Sequence, residues 1–67
     1  MTVMAKPGWA LAYARTTWAD RIGPRLRALN NRVRFVDHLD DAQKSEAREL
    51  AGLVRGIASA LEEAAQL

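Results

Sequence analysis

The chain has 67 residues, 49% of them hydrophobic and 27% charged, with no cysteine, one histidine and a formal charge of +2. That length holds one domain, and a chain so short buries only roughly 60% of the surface it exposes when unfolded. Small scaffolds compensate with a disulfide, a metal, a partner subunit or very regular helix packing, and this composition leaves only the last two.

The first predicted elements lie in the segment from Trp9 to Val36. Leu11, Trp18 and Ile22, then Leu26, Leu29, Val33 and Val36, continue one apolar face through it. Gly23-Pro24 interrupts that face. Proline lacks a backbone donor and its ring clashes with the carbonyl four residues back, whereas the first turn of a new helix accepts it. Two helices are therefore expected, near residues 9–22 and 24–36, with one kinked helix as the alternative. Arg32-Val33-Arg34-Phe35-Val36 also fits the alternation of a short strand, which periodicity does not separate from helix over five residues. Asp37-His38-Leu39-Asp40 supplies turn and cap residues.

The clearest element spans residues 41–65. Asp40 with Gln43 three residues on reads as a capping box, in which each side chain satisfies a backbone N–H of the other. Ala47, Leu50, Val54, Ile57, Leu61 and Ala64 recur by threes and fours, the spacing of a face packed on another helix. Leu53, Ala60 and Leu67 widen this face on one shoulder and Ala51, Ala58 and Ala65 on the other, to an arc of about 200°. One neighbouring helix does not cover such an arc, so a third helix or a second subunit is expected. Leu50, Leu53, Ile57, Ala60 and Leu61 are the predicted self-association residues. Gly52 and Gly56 begin a row of small residues with Ala60 and Ala64, and the two glycines are expected on the solvent side. The fold class is all-α: a helical hairpin or three-helix arrangement with a long C-terminal amphipathic helix, in a single domain over residues 1–67.

The net charge conceals a division. Residues 1–36 carry seven Lys and Arg against Asp20 alone, a net +6, and residues 37–67 carry three against seven carboxylates, a net −4. Either the halves fold together and neutralise each other or the basic half is held out for an anion. A hairpin would set Arg32 and Arg34 near Glu46 and Glu49, and Arg15 nearer Glu62 and Glu63.

Catalytic chemistry is not expected. A nucleophile needs a base within hydrogen-bond reach, yet His38 is the sole histidine, and Ser45 and Ser59 sit in a helical pattern. Asp37, His38, Asp40 and Asp41 are close in sequence but lack the loop glycine and terminal glutamate of a calcium loop, and read as a solvated turn. No cofactor or metal is expected. The longest apolar run, Trp9 to Ala14, is far short of the roughly 20 residues that span a bilayer, and Met1 to Lys6 does not read as a secretory signal. A cytoplasmic protein without a membrane partner is the expectation.

Binding is the function the residues favour. Arg21, Arg25, Arg27, Arg32 and Arg34 surround one short segment, and guanidinium is suited to bidentate recognition of phosphate and carboxylate. Trp18 is expected in the core with Leu11 and Ile22. Trp9 and Tyr13 share a different face, and Phe35 projects away from the Leu26, Leu29, Val33 stripe. Aromatics and arginine are frequent interface hot spots. The expected function is a non-enzymatic protein-binding module, an adaptor or inhibitor of a larger assembly. It would use Trp9, Tyr13, Phe35 and the five arginines, and would also form homo-oligomers. Nucleic-acid binding through residues 21–34 is the second reading, although no helix-turn-helix, zinc-finger or RNA-binding signature accompanies it.

Overall fold

The computed structural model describes residues 6–66 as two helical arms joined by a short turn, an all-α helical hairpin with a long C-terminal helix. The first arm consists of α1 (Pro7–Thr17), a π-helical turn (Trp18–Ile22) and α2 (Gly23–Val33); the second arm is α3 (Asp41–Gln66). Residues 1–5, and Leu67 on the shoulder of the apolar arc, lie outside the described residues. The described residues contain no strand: Val33 closes α2, and the alternating segment after it enters the turn.

The break expected at Gly23-Pro24 is absent, and the helical backbone runs straight through it. Gly23 has helical angles (φ −53°, ψ −55°), and its N–H donates to the carbonyl of Trp18, five residues back. A regular α-helix would drive the Pro24 ring against the Asp20 carbonyl. The wider π-turn loosens the hydrogen-bond ladder at that point, so the proline is accommodated by one inserted residue instead of a break. The insertion also rephases the arm. Ala10, Ala14 and Thr17 are buried at steps of four and three, and the next buried residue is Ile22, five on. An uninterrupted α-helix would have turned the charged Arg21 inward at that position.

At the start of α3 the capping box forms as expected. The Gln43 N–H donates to Asp40 Oδ1 at 2.8 Å and the Asp40 N–H donates to Gln43 Oε1 at 2.9 Å. These bonds satisfy donors that the first helical turn leaves without intrahelical partners.

Between the arms lie Ala10, Ala14, Thr17, Ile22 and Leu29 from the first, and Leu50 and Ala60 from α3. The α3 seam follows Glu46, Leu50, Leu53, Ile57, Ala60 and Ala64, all buried or half-buried, at alternating steps of four and three. Leu50, Ile57 and Ala64 belong both to this seam and to the stripe expected from sequence. The structure completes them with Leu53 and Ala60, and leaves Val54 and Leu61 at 43% and 46% exposure. Trp18 and Leu11, expected in the core, are each half exposed, because alanines and Thr17 form the inward edge of α1. Small residues there allow α1 to run close along α3, whereas α2 makes far fewer close approaches to it. The molecule measures 43 × 19 × 16 Å, a rod two helices wide.

Candidate functional site

Three surfaces carry the residues that sequence reasoning singled out. The first is the hairpin tip, where α2 runs out at Val33 and seven residues turn the chain into α3. Phe35 stands there at 90% exposure, with the Arg34 guanidinium 5.4 Å from its ring centroid. That distance suits a cation–π contact. Arg27, Arg32 and Arg34 are exposed around it, and among the described residues none of them, nor Arg21, forms an ion pair.

Arg25 is different. Its Nε donates to Glu46 Oε2 at 2.9 Å and its Nη2 to Glu46 Oε1 at 2.8 Å, and the same Nη2 reaches Glu49 Oε1 at 2.8 Å. The guanidinium of this predicted partner-binding residue is thus engaged within the chain, as a clamp between α2 and α3. The hydrogen bonds from Arg25, more than its charge alone, hold the Glu46 carboxyl below its usual range, with burial opposing. The expected nearness of Arg32 to Glu46 is also present, since both line one open groove and the Arg32 charge adds to the lowering of that carboxyl, whereas Arg34 forms no ion pair with Glu46 or Glu49 among the described residues. Arg34 is already in the turn, so Arg25, further back on α2, is the arginine that makes direct contact with Glu46 and Glu49. By the same register Arg15 lies level with the middle of α3, short of Glu62 and Glu63.

The second surface is the flank bearing Trp9 and Tyr13. Tyr13 reaches across α3 at Gly56, where an added Cβ would come within 3.2 Å of its hydroxyl. Gly56 therefore lies beneath Tyr13, whereas Gly52 faces open space as expected. Trp9 is exposed at the start of α1, with Lys6 Nζ 5.8 Å from its ring centroid. An open groove lined by Tyr13, Thr16, Thr17, Asp20 and Arg21 continues this flank.

The third surface was missed by sequence reasoning as a unit. Tyr13 and Gly56 mark one side of the hairpin, and helical phase puts Leu11 and Trp18 across the Ala10–Ala14–Thr17 seam on the opposite side. Leu26 extends that side beyond the π-turn, and Val54 and Leu61 face it from α3. All five are exposed. Of the predicted self-association residues only Leu61 belongs here. Leu50 and Ala60 are buried, and Leu53 and Ile57 half-buried, in the packing of the chain's own two arms. The signal for this surface was present in the sequence as Ala47, Ala51, Val54, Ala58, Leu61 and Ala65, a second series at steps of four and three beside the first.

Among the described residues, no group of three or more His, Cys, Asp and Glu side chains is placed to hold a metal ion, and no helix is long and apolar enough to cross a membrane. Comparisons with protein-family models, curated proteins and solved structures found no match to this chain.

Proposed function

We propose that the chain is a small non-enzymatic helical module that binds other proteins, as an adaptor or inhibitor of a larger assembly. One observation carries this reading. Among the described residues nine large apolar side chains are exposed, from Trp9 to Leu61, while only Ile22, Leu29 and Leu50 are buried. A folded chain with more large apolar groups outside than inside has surface to cover, and contiguous apolar patches mark interaction sites. Trp9, Tyr13 and Phe35 are the proposed anchors for the partner, with Arg21, Arg27, Arg32 and Arg34 beside them as charge-assisted donors. The test is capture of a specific protein from the native cell by the intact chain. Replacing Trp9 and Tyr13 by alanine should abolish capture with helical circular dichroism unchanged. Capture that survives the double replacement would remove these anchors from the reading.

A second reading rests on Arg21, Arg27, Arg32 and Arg34, exposed arginines of the basic segment that form no salt bridge among the described residues. Phosphate contacts by Arg21, Arg27, Arg32 and Arg34 would make the chain a nucleic-acid binder. Affinity would then fall steeply, roughly tenfold or more, between about 50 and 200 mM salt. Binding that is absent at low salt, or indifferent to salt, removes this reading.

A further inference from the structure

We infer that the face formed by Leu11, Trp18, Leu26, Val54 and Leu61 is covered by a second copy of this chain, giving a two-fold symmetric four-helix bundle. This inference rests on the protein-binding reading above and names one partner for it. Size supplies the first argument. A compact chain of this mass would expose about 4,200 Å², whereas this one exposes 5252 Å². The excess over the whole chain, about 1,000 Å², is enough to supply the roughly 800 Å² that each partner buries in a stable interface. Shape agrees: the radius of gyration is 14.6 Å, against about 11 Å for a compact chain of this length. Two helices side by side form one layer, and a stable domain needs a second.

The relief of the face argues for a copy of itself over an unrelated partner. The first arm presents large knobs, Leu11, Trp18 and Leu26, two helical turns apart. On α3 the matching strip is shallow, with Ala51, Ala58 and Ala65 alternating with Val54 and Leu61. A two-fold axis lying in the interface and parallel to the helices lays the knobs of each copy on the other's alanine-rich strip, so one surface supplies both halves of the fit. None of these eight positions is charged. The α3 strip also repeats the step of its inner seam, the spacing that packs one helix against another.

Solution mass of the intact chain, measured over a concentration series, tests the pairing. The expected result is twice 7.4 kDa, with Trp18→Glu monomeric and still helical. Should that variant fail to fold, a Trp9→Phe chain provides a second readout. Its remaining tryptophan is Trp18, whose emission should move to shorter wavelength and whose quenching by acrylamide should fall as the chain associates. A monomer at every concentration up to about 1 mM, where even weak pairing is populated, overturns the inference. So does a dimer that survives Trp18→Glu, or one in which Trp18 stays open to acrylamide. A monomer that still captures a protein through Trp9 and Tyr13 refutes the pairing alone. A dimer that captures nothing refutes the adaptor or inhibitor reading alone.

Discussion

The two ends of the hairpin are held together by different means. Toward the open end, α1 lies close against α3 through Ala10, Ala14 and Ala60, where the absence of bulk is what brings the helices near. Toward the tip, α2 approaches α3 less closely, and Leu29, Leu50 and the Arg25 clamp on Glu46 and Glu49 span a wider gap. Ile22 sits where one regime passes into the other and is the largest side chain that is fully buried, at 1% exposure. Seam residue size thus sets the separation of the arms. The bulky residues that a close seam excludes are displaced onto the flank, where Leu11 and Trp18 become surface.

The largest effects should come from cavities at the junction and the tip. Ile22→Ala or Leu29→Ala should destabilise by about 2–5 kcal/mol, the usual range for removing a buried branched side chain. For a domain this small that is a large share of the whole, and thermal unfolding followed by circular dichroism should show the melting temperature collapse. The open end should respond in the opposite sense. Ala14→Leu adds bulk where the helices are closest and should cost about 1–3 kcal/mol through overpacking, while adding the same bulk at the neighbouring exposed Ala12 should be near neutral. If Ala14→Leu is as mild as Ala12→Leu, the close alanine seam is not what holds α1 in place.

This difference also explains what could be read from the sequence. The hairpin, the capping box and the extent of α3 were legible, because periodicity over 26 residues and a paired cap are local signals. Which face turns inward was only half legible. Leu50 and Ile57 fit two overlapping seams, and hydrophobicity weights Val54 and Leu61 above Ala60, whereas close helix packing favours the smaller residue. On the first arm the same preference for bulk drew Leu11 and Trp18 into the expected core ahead of Ala10 and Ala14. The π-turn was illegible, since Gly-Pro signals both a break and an accommodated kink. That one-residue shift changes the phase of α1 against α2, while the partner of Arg25 depends on the connection between α2 and α3. Of the arginines of the basic segment, Arg25 meets the carboxylates of α3, while Phe35 and Arg34 stand exposed.

A smaller effect belongs to the connection that keeps the tip in register. Asp40→Ala removes the acceptor for the Gln43 N–H and leaves the Gln43 side chain without its reciprocal geometry. The expected loss is about 1 kcal/mol, typical of an N-cap deletion. Asp40→Ser should recover most of it, since a hydroxyl oxygen serves as the same acceptor. If serine rescues nothing, the cap is not what stabilises this end of α3.

The smallest effect is also the one that tests whether the two ends are independent. Arg25 holds the Glu46 carboxyl below its usual value, so in the folded chain Glu46 binds a proton less readily than in the unfolded chain. Its contribution is therefore fully present above the ordinary glutamate range, about pH 4.3, and is lost as pH falls through the depressed folded value. The pair is solvent-accessible, so the loss should be modest and weaker in high salt. Glu46→Gln should flatten this acid dependence, and Arg25→Met should do the same. Because the clamp joins only α2 to α3, acidification should lower amide protection, taken relative to the intrinsic exchange rate at each pH, in α2 before α1, whose alanine seam contains no titrating group. Should α1 and α2 lose protection together, the hairpin opens as one cooperative unit, and the difference between its ends is one of packing distance without a separate stability.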